Sequence, residues 1–465
     1  MSDAPLILWF RRDLRLADHP MLAAAVAQGR PIVPVVILDP ETEAIGAAAR
    51  WRWGLSVAAF AASLGAIGLR LILRRGAALT VLRGLVAETG AGGVYWSRLY
   101  DPAARQRDES VKAALKAEAV EARSFAGHLL HEPWEVQTGD GGFYKVFTPY
   151  WRAVRPMEVR GLIPAPKVAR GPAVWPDSDV LEQWQLGTAM QAGAAVVLPH
   201  ARIGEAAAMA RMTTFLDQRA GVYAVRRDVL AEDAGSGLSE NLTYGEISPV
   251  QVWHAGWRAM QEGVAGAETF LKELVWREFA WALAYHSPQI LSANWRANWD
   301  DFPWRADNPD AEAWRQGMTG EPVVDAAMRQ MLVTGTMHNR ARMIVASYLT
   351  KHLLTHWQVG AAWFAECLID WDPASNAMGW QWVAGSGPDA APYFRIFNPA
   401  TQAEKFDPDG AYRARWLHTA SAEARAYFDA APKRWGLRGK PYPQPLIALA
   451  AGRARALEAL AQRGA

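Results

Sequence analysis

Over its first 130 residues the chain alternates short unbroken apolar runs with longer alanine-rich stretches. Residues 6–10 (LILWF) form one run, closed by Arg11-Arg12-Asp13, and residues 31–38 (PIVPVVIL) form a second. Residues 69–73, 94–96 and 120–125 predict three more strands. Continuous runs of this length, rich in Val and Ile, are how strands covered on both faces read. Residues 21–28 and 53–64 between them carry helical spacing. Strand and helix in alternation predict a Rossmann-like α/β domain with a parallel sheet. No G-x-G-x-x-G follows any run, so the usual dinucleotide loop is absent. Arg12 and Asp13, at the end of the first run, are expected to form a structural ion pair.

Residues 131–202 lose this rhythm. Proline is frequent there (Pro133, Pro149, Pro156, Pro164, Pro166, Pro172, Pro176), which predicts a long connector lying over the surface. From residue 203 the spacing is helical almost to the end. Helices are predicted over 205–218, 249–261, 268–285, 323–332, 339–354, 360–369 and 446–461. The expected organisation is an α/β domain at 1–130, a connector at 131–202 and a larger all-α domain at 203–465.

Composition narrows the function. No run of 18 apolar residues suggests a membrane span, and the start lacks the features of a signal peptide, so a cytoplasmic protein is expected. The single cysteine, Cys367, excludes intrachain disulfides and any four-cysteine cluster, and no metal site is expected. A formal net charge of +2 is weak for a nucleic-acid binder, so any such contact must be a local patch. The unusual feature is 23 tryptophans. They suit base stacking, sugar stacking or large helical cores alike.

The densest chemistry lies in residues 370–399, DWDPASNAMGWQWVAGSGPDAAPYFRIFNP. Asp370 and Asp372 open it, followed by Asn376, Trp380 and Trp382, then a Gly/Ser/Pro-rich turn and Pro392-Tyr393-Phe394-Arg395. Residues two apart on a helix lie about 200° apart. One of the two indoles therefore faces inward and the other faces a cleft. Carboxylates, an amide and indoles together suit a large aromatic ligand with polar edges better than an apolar core.

This stretch resembles the flavin-binding signature of the photolyase/cryptochrome family, and within it the bacterial, class I-type photolyases of cyclobutane pyrimidine dimers. The opening WFRRDLRLADHP and residues 141–152, GGFYKVFTPYWR, are similar to the same family. The resemblance implies non-covalent FAD, fully reduced when active. Cofactor contacts are then expected from Tyr223, the loop Ser236-Gly237-Leu238-Ser239, Arg342, Asp370, Trp371, Asp372 and Asn376. Gly235 and Glu240-Asn241 depart from the family pattern. Glu273 and Trp276, three apart on a helical run, match residues that read the flipped dimer, with Trp382 as the second indole of the clamp. Asn339 and Met343, at i and i+4, match positions beside flavin and substrate. Asn339 stands where six-four photolyases carry a characteristic histidine. Trp304, Trp357 and Trp380 match the family's electron relay. Arg227, Arg277, Arg340, Arg395 and Gln402 match DNA contacts.

The resemblance thus implies light-driven repair of pyrimidine dimers in DNA by a monomer. The alternatives are a cryptochrome-type photoreceptor and a flavin oxidoreductase without DNA. A second, antenna chromophore of deazaflavin or flavin type is favoured over folate, because Ala103-Ala104 stand where folate-binding relatives carry Asn-Glu. Arg50, Asp101 and Arg107-Asp108 are compatible with such an antenna.

Overall fold

The computed structural model describes residues 3–390 and 394–463. Five strands, β1 Leu6–Phe10, β2 Ile32–Leu38, β3 Ile72–Arg75, β4 Gly93–Ser97 and β5 Glu121–Phe125, form one sheet in the order β3-β2-β1-β4-β5. Every pairing is parallel, with Leu6 opposite Ile32 on one side and Gly93 on the other. All residues of β1, β2 and β4 are buried, as two-sided cover requires. The third strand starts later than residues 69–73 suggest. Its register with β2 runs from Val35–Ile72 to Leu38–Arg75, so two arginines close an edge strand whose outer end reaches water.

The helices used below are α1 Pro20–Val26, α2 Ala47–Ala66, α3 Ala78–Thr89, α4 Pro102–Ala117, α5 Phe147–Val154, α6 Glu205–Gln218, α7 Ser239–Tyr244, α8 Pro249–Gln261, α9 Ala267–His286, α10 Pro322–Thr334, α11 Asn339–Ser347, α12 Trp357–Cys367, α13 Pro373–Ala384, α14 Pro399–Phe406 and α15 Leu449–Gln462. The first four cross over between strands, α5 lies in the connector, and the rest build the helical domain. The helix expected over 339–354 is interrupted, since α11 passes at Tyr348 into a π-helical turn, Tyr348–His352. The connector is only partly superficial. Val168 and Val174 are exposed, but Phe147, Tyr150, Trp151 and Val154 of α5 are buried at spacings of a helical stripe, in one core with Phe279 of α9.

The expected Arg12–Asp13 pair does not form. Asp13 instead accepts from the Arg11 amide at 2.8 Å and lies 3.2 Å from His19 Nε2. Burial works against its charge, yet the His19 and Arg11 contacts hold its pKa down at about 2. Arg11 binds Asp108 at 2.7 Å, and the Arg12 Nη1 is buried without a hydrogen-bond partner.

The two domains meet around Arg52 of α2. Its guanidinium is fully buried, 2.5 Å from Glu240 of α7 and 2.8 Å from Glu246. Beside it, Gly245 has φ +68°, and a Cβ there would lie 2.1 Å from the Arg12 carbonyl oxygen. Only glycine permits both that backbone and that approach.

Candidate cofactor and substrate site

Helix α13 begins on Asp372, whose Oδ1 accepts from the Ser375 amide at 2.8 Å, with Pro373 in its first turn. Ala374, Ala377, Trp380, Gln381, Val383 and Ala384 are buried. Ser375, Asn376, Gly379 and Trp382 are not, and at steps of one to three residues they make one open stripe. Trp380 therefore faces the core and Trp382 the cleft, as their spacing predicts. Nothing lies within 4 Å of where a Gly379 Cβ would sit, whereas a Gly360 Cβ on α12 would be 2.1 Å from the Trp380 ring. Close packing behind and space in front characterise this helix.

Three elements converge beneath the stripe. Asp370 accepts from Arg342 of α11 at 2.8 Å and from the Ser239 hydroxyl at 2.8 Å. Asp372 Oδ2 accepts from the Trp281 indole at 3.0 Å, and Asn376 donates to the Ala361 carbonyl at 3.1 Å. The loop at 234–239 is held by α6, where Arg211 donates to the Gly237 carbonyl at 2.6 Å, and by Arg219, which donates to that of Gly235 at 3.2 Å. Gly237, at φ +65°, and Ser239 are exposed, Ser236 is half-buried and Leu238 is buried. Tyr223 is buried against Phe215 and Phe270, and burial pushes its pKa up to about 12. The Trp371 indole N–H is buried without a partner.

These groups fit FAD. Arg342, the loop amides and the serine hydroxyls suit a diphosphate. The spare lone pairs of Asp370 and Asp372 suit hydroxyls and ring N–H groups, and the space over Gly379 lets a planar ring approach the helix backbone. The donor helix α7 has only six residues, so the anion-binding capacity lies in the loop and its arginines.

Helices α9 and α13 pack together, and half-exposed side chains of both stand at the expected cleft. Glu273 and Trp276 share a face of α9, and Glu273 pairs with Arg227 at 2.5 Å. The Arg227 pKa is raised because the Glu273 bond and charge outweigh its burial. Trp276 stacks on Phe147, with ring centroids 3.7 Å apart and planes 7° apart. Across the cleft the Trp382 indole donates to the Asp389 carbonyl at 2.9 Å, and the Arg395 guanidinium lies 5.7 Å from its ring. Pro392 and Tyr393 lie outside the described residues.

Asn339 is exposed at the start of α11, Met343 is half-buried, and Arg340 pairs with Asp228 at 2.5 Å. His338 caps α11 by accepting from the Arg340 amide at 3.1 Å, and burial lowers its pKa to about 4, so it is neutral at pH 7. Gln402 of α14 has a buried carbonyl oxygen without a partner. Arg277 differs from the open cation expected. It donates to the His128 carbonyl at 2.9 Å and to Glu278 at 3.1 Å, with its side chain 11% exposed, so it ties α9 to the end of the α/β domain. One step along α9, the helix turns it about 100° from Trp276.

Of the tryptophans expected to form a relay, two are buried and one is half-buried. Trp380 is buried edge-on to Phe364 and Trp314. Trp357 is buried and donates to Asn294 at 2.9 Å, and Trp304 is half-buried and stacked on Trp299. The His356 ring lies between the last two, 4.9 Å from Trp304 and 5.6 Å from Trp357. In the α/β domain, Arg107 binds Asp39 at 2.7 Å, Asp101 caps α4, and Arg50 donates to the Ile45 carbonyl at 3.3 Å.

Sequence reasoning missed Arg211, Trp281, Phe147 and Asp389. Trp281 was within reach, five residues beyond Trp276 on the same helical run. The others act across long sequence separations that leave no local pattern.

Residues 6–168 match the family model described as DNA photolyase, and residues 270–462 match the FAD binding domain of DNA photolyase. A deoxyribodipyrimidine photo-lyase of Agrobacterium fabrum is 44% identical over 99% of this chain and 98% of its own. A crystal structure of a bacterial class III photolyase from Agrobacterium tumefaciens superposes with a TM-score of 0.92 at 43% identity, covering 100% of this chain and 98% of that one. The cryptochrome of Synechocystis gives 0.85 at 28% identity, covering 98% and 100%.

Proposed function

Because the chain belongs to the photolyase/cryptochrome family, we propose that it is a deoxyribodipyrimidine photo-lyase, repairing cyclobutane pyrimidine dimers in DNA in a light-dependent reaction. The observation that carries this reading is the open stripe of α13, where Asn376, Gly379 and Trp382 are uncovered on a helix packed against α9, which carries Glu273 and Trp276.

The chemistry that FAD supplies when bound is light-driven transfer of one electron to the dimer and back. The protein's own groups then have distinct tasks. Arg342, Ser236 and Ser239 hold the diphosphate side, while Asp370 fixes Arg342 and Ser239 in place. Asn376 presents a neutral amide at the ring, so no charge is added in a half-buried site. A dimer must leave the base stack to be reached, as in photolyases generally. Trp276 and Trp382 offer two indole faces to hold it, each base–aromatic stack contributing about 1–3 kcal/mol. Glu273 accepts from base edges, and Arg227, Arg340, Arg395 and Gln402 contact the strand. Trp380, Trp357 and Trp304 carry electrons between the interior and the surface. The proposal includes domains at 1–130, 131–202 and 203–465, and a monomeric, cytoplasmic protein. Its antenna chromophore is of deazaflavin or flavin type.

The test is repair of a dimer-containing oligonucleotide by prereduced holoprotein, in light and in darkness. Loss of dimers in light alone is expected. Equal loss in both, or none in either, overturns the reading and would leave the cryptochrome-type alternative.

A further inference from the structure

The two carboxylates that open residues 370–399 are held differently. Asp370 meets a cation, the Arg342 guanidinium at 2.8 Å. Asp372 meets only neutral donors among the described residues. Its Oδ1 accepts from the Ser375 amide at 2.8 Å and its Oδ2 from the Trp281 indole at 3.0 Å. Each oxygen keeps a lone pair for a ligand. A carboxylate without a cation, set beside a redox ring, opposes the arrival of an electron. An N–H on that carboxylate draws charge away from the ring edge.

Trp281 is fully buried in α9, and its ring is fixed from the α/β domain. The His128 ring meets it edge-on, with centroids 5.2 Å apart and planes at 83°, and the Tyr100 ring lies 6.4 Å away at 63°. Arg277, one turn earlier on the same face of α9, donates to the His128 carbonyl at 2.9 Å and lies 3.1 Å from its Nε2. The indole is therefore held in one orientation, with its N–H on Asp372. That bond does more than satisfy a buried donor, because this fold leaves the indole N–H groups of Trp9, Trp380 and Trp416 buried without a partner.

We propose that Trp281 is a positioning residue for the flavin: its indole N–H fixes the Asp372 carboxylate at the ring edge and sets how easily the ring accepts an electron. The proposal rests on Asp372 facing the flavin ring. It gives Arg277 and His128 a part in the site from outside it, as the support against which Trp281 leans. It also divides the work of the two carboxylates, Asp370 organising the diphosphate side and Asp372 the ring.

The test takes the full-length FAD-loaded protein in the dark and measures two quantities: release of oxidised FAD on dilution, and the midpoint potential of the bound flavin. Trp281→Phe is expected to raise the dissociation constant of oxidised FAD about tenfold, on the scale of one hydrogen bond to a charged group. Reduced FAD should be weakened further, so the potential falls. If Trp281→Phe does not fold, 3-benzothienylalanine at position 281 keeps the ring, puts sulfur in place of the N–H, and carries the same expectation. In an Asp372→Asn background most of the effect should vanish, because the charge that the N–H holds is gone. Wild-type release and potential, weaker binding at an unchanged potential, or an undiminished effect in the Asp372→Asn background overturns the proposal. Asp372→Asn with the wild-type potential overturns the placement of Asp372 at the ring, and this proposal with it. A wild type that shows the expected shifts on substitution but repairs no dimers in light overturns the photo-lyase reading and leaves the role of Trp281 standing.

Discussion

Two ion pairs of equal length separate the rigid part of this protein from the part that works. Arg52 and Glu240 at the domain junction, and Arg227 and Glu273 in the cleft, are each 2.5 Å apart. The junction pair is closed to water, with side chains 0% and 2% exposed, while the cleft pair is 19% and 34% exposed. In a dry site two charges hold each other because neither has another partner; in a wet one, solvent screens them and exchange is cheap. The junction is thus a fixed joint. On the proposed reading, Arg227 leaves Glu273 for a phosphate and frees the carboxylate for base edges.

Breaking the dry pair should have the largest effect. Arg52→Ala leaves Glu240 and Glu246 buried without their cation, and removing one partner of a buried pair costs about 3–5 kcal/mol. Denaturant unfolding should show that loss, whereas Arg227→Ala should change stability by less than about 1 kcal/mol. Comparable losses would erase the distinction.

A second effect concerns Glu278, behind the cleft on α9. Burial pushes its pKa up to about 7, against the lowering influence of Arg277 and the Leu130 and His131 amides. The folded protein then holds that proton more tightly than the unfolded chain, whose carboxyl titrates near 4.5. Stability contributed by this group is present below 4.5 and falls as pH rises to about 7. Glu278→Gln should flatten this slope and gain about 2–3 kcal/mol at pH 8. His338 works in the opposite direction. Its pKa is lowered to about 4 from 6.5, so its contribution is lost as pH falls through that window. Unfolding free energies of Glu278→Gln and His338→Gln, measured from pH 4 to 8, check both signs.

Within the cleft the expected effects are smaller and selective. Glu273→Ala should weaken binding to dimer-containing DNA by about 1.5–3 kcal/mol, with little change on undamaged DNA. Arg340→Ala should weaken both about equally and reduce the salt slope by about one. Identical discrimination in the two variants would mean that the cleft does not separate base contacts from backbone contacts.

The same contrast decides what was legible in the sequence. Buried strands show themselves because cover on both faces forces continuous apolar runs, and β1 and β2 are found within a residue of expectation. Helices α6 and α8 match their predicted bounds because one buried stripe sets the period. The edge strand β3 moved, since its end is fixed by register with β2 and not by its own hydrophobicity. The π-turn after α11 has no signature, and neither has the stack of Phe147 on Trp276, which joins residues 129 apart. Asp370, Asn376 and Trp382 stood out as candidates because one short segment carries them.

The Arg52 joint also bears on how the protein is made. Arg52 and Glu246 are 194 residues apart, so at about 5–20 residues per second the arginine waits on the order of 10–40 s for its partner to be synthesised. Through that interval the sheet domain carries a hydrated cation on the surface that is later to close. Docking must then remove water from one arginine and two glutamates in a single event. Assembly is therefore gated by translation, and slowing the ribosome between the two segments lengthens the time that the half-made protein shows this face to chaperones and proteases.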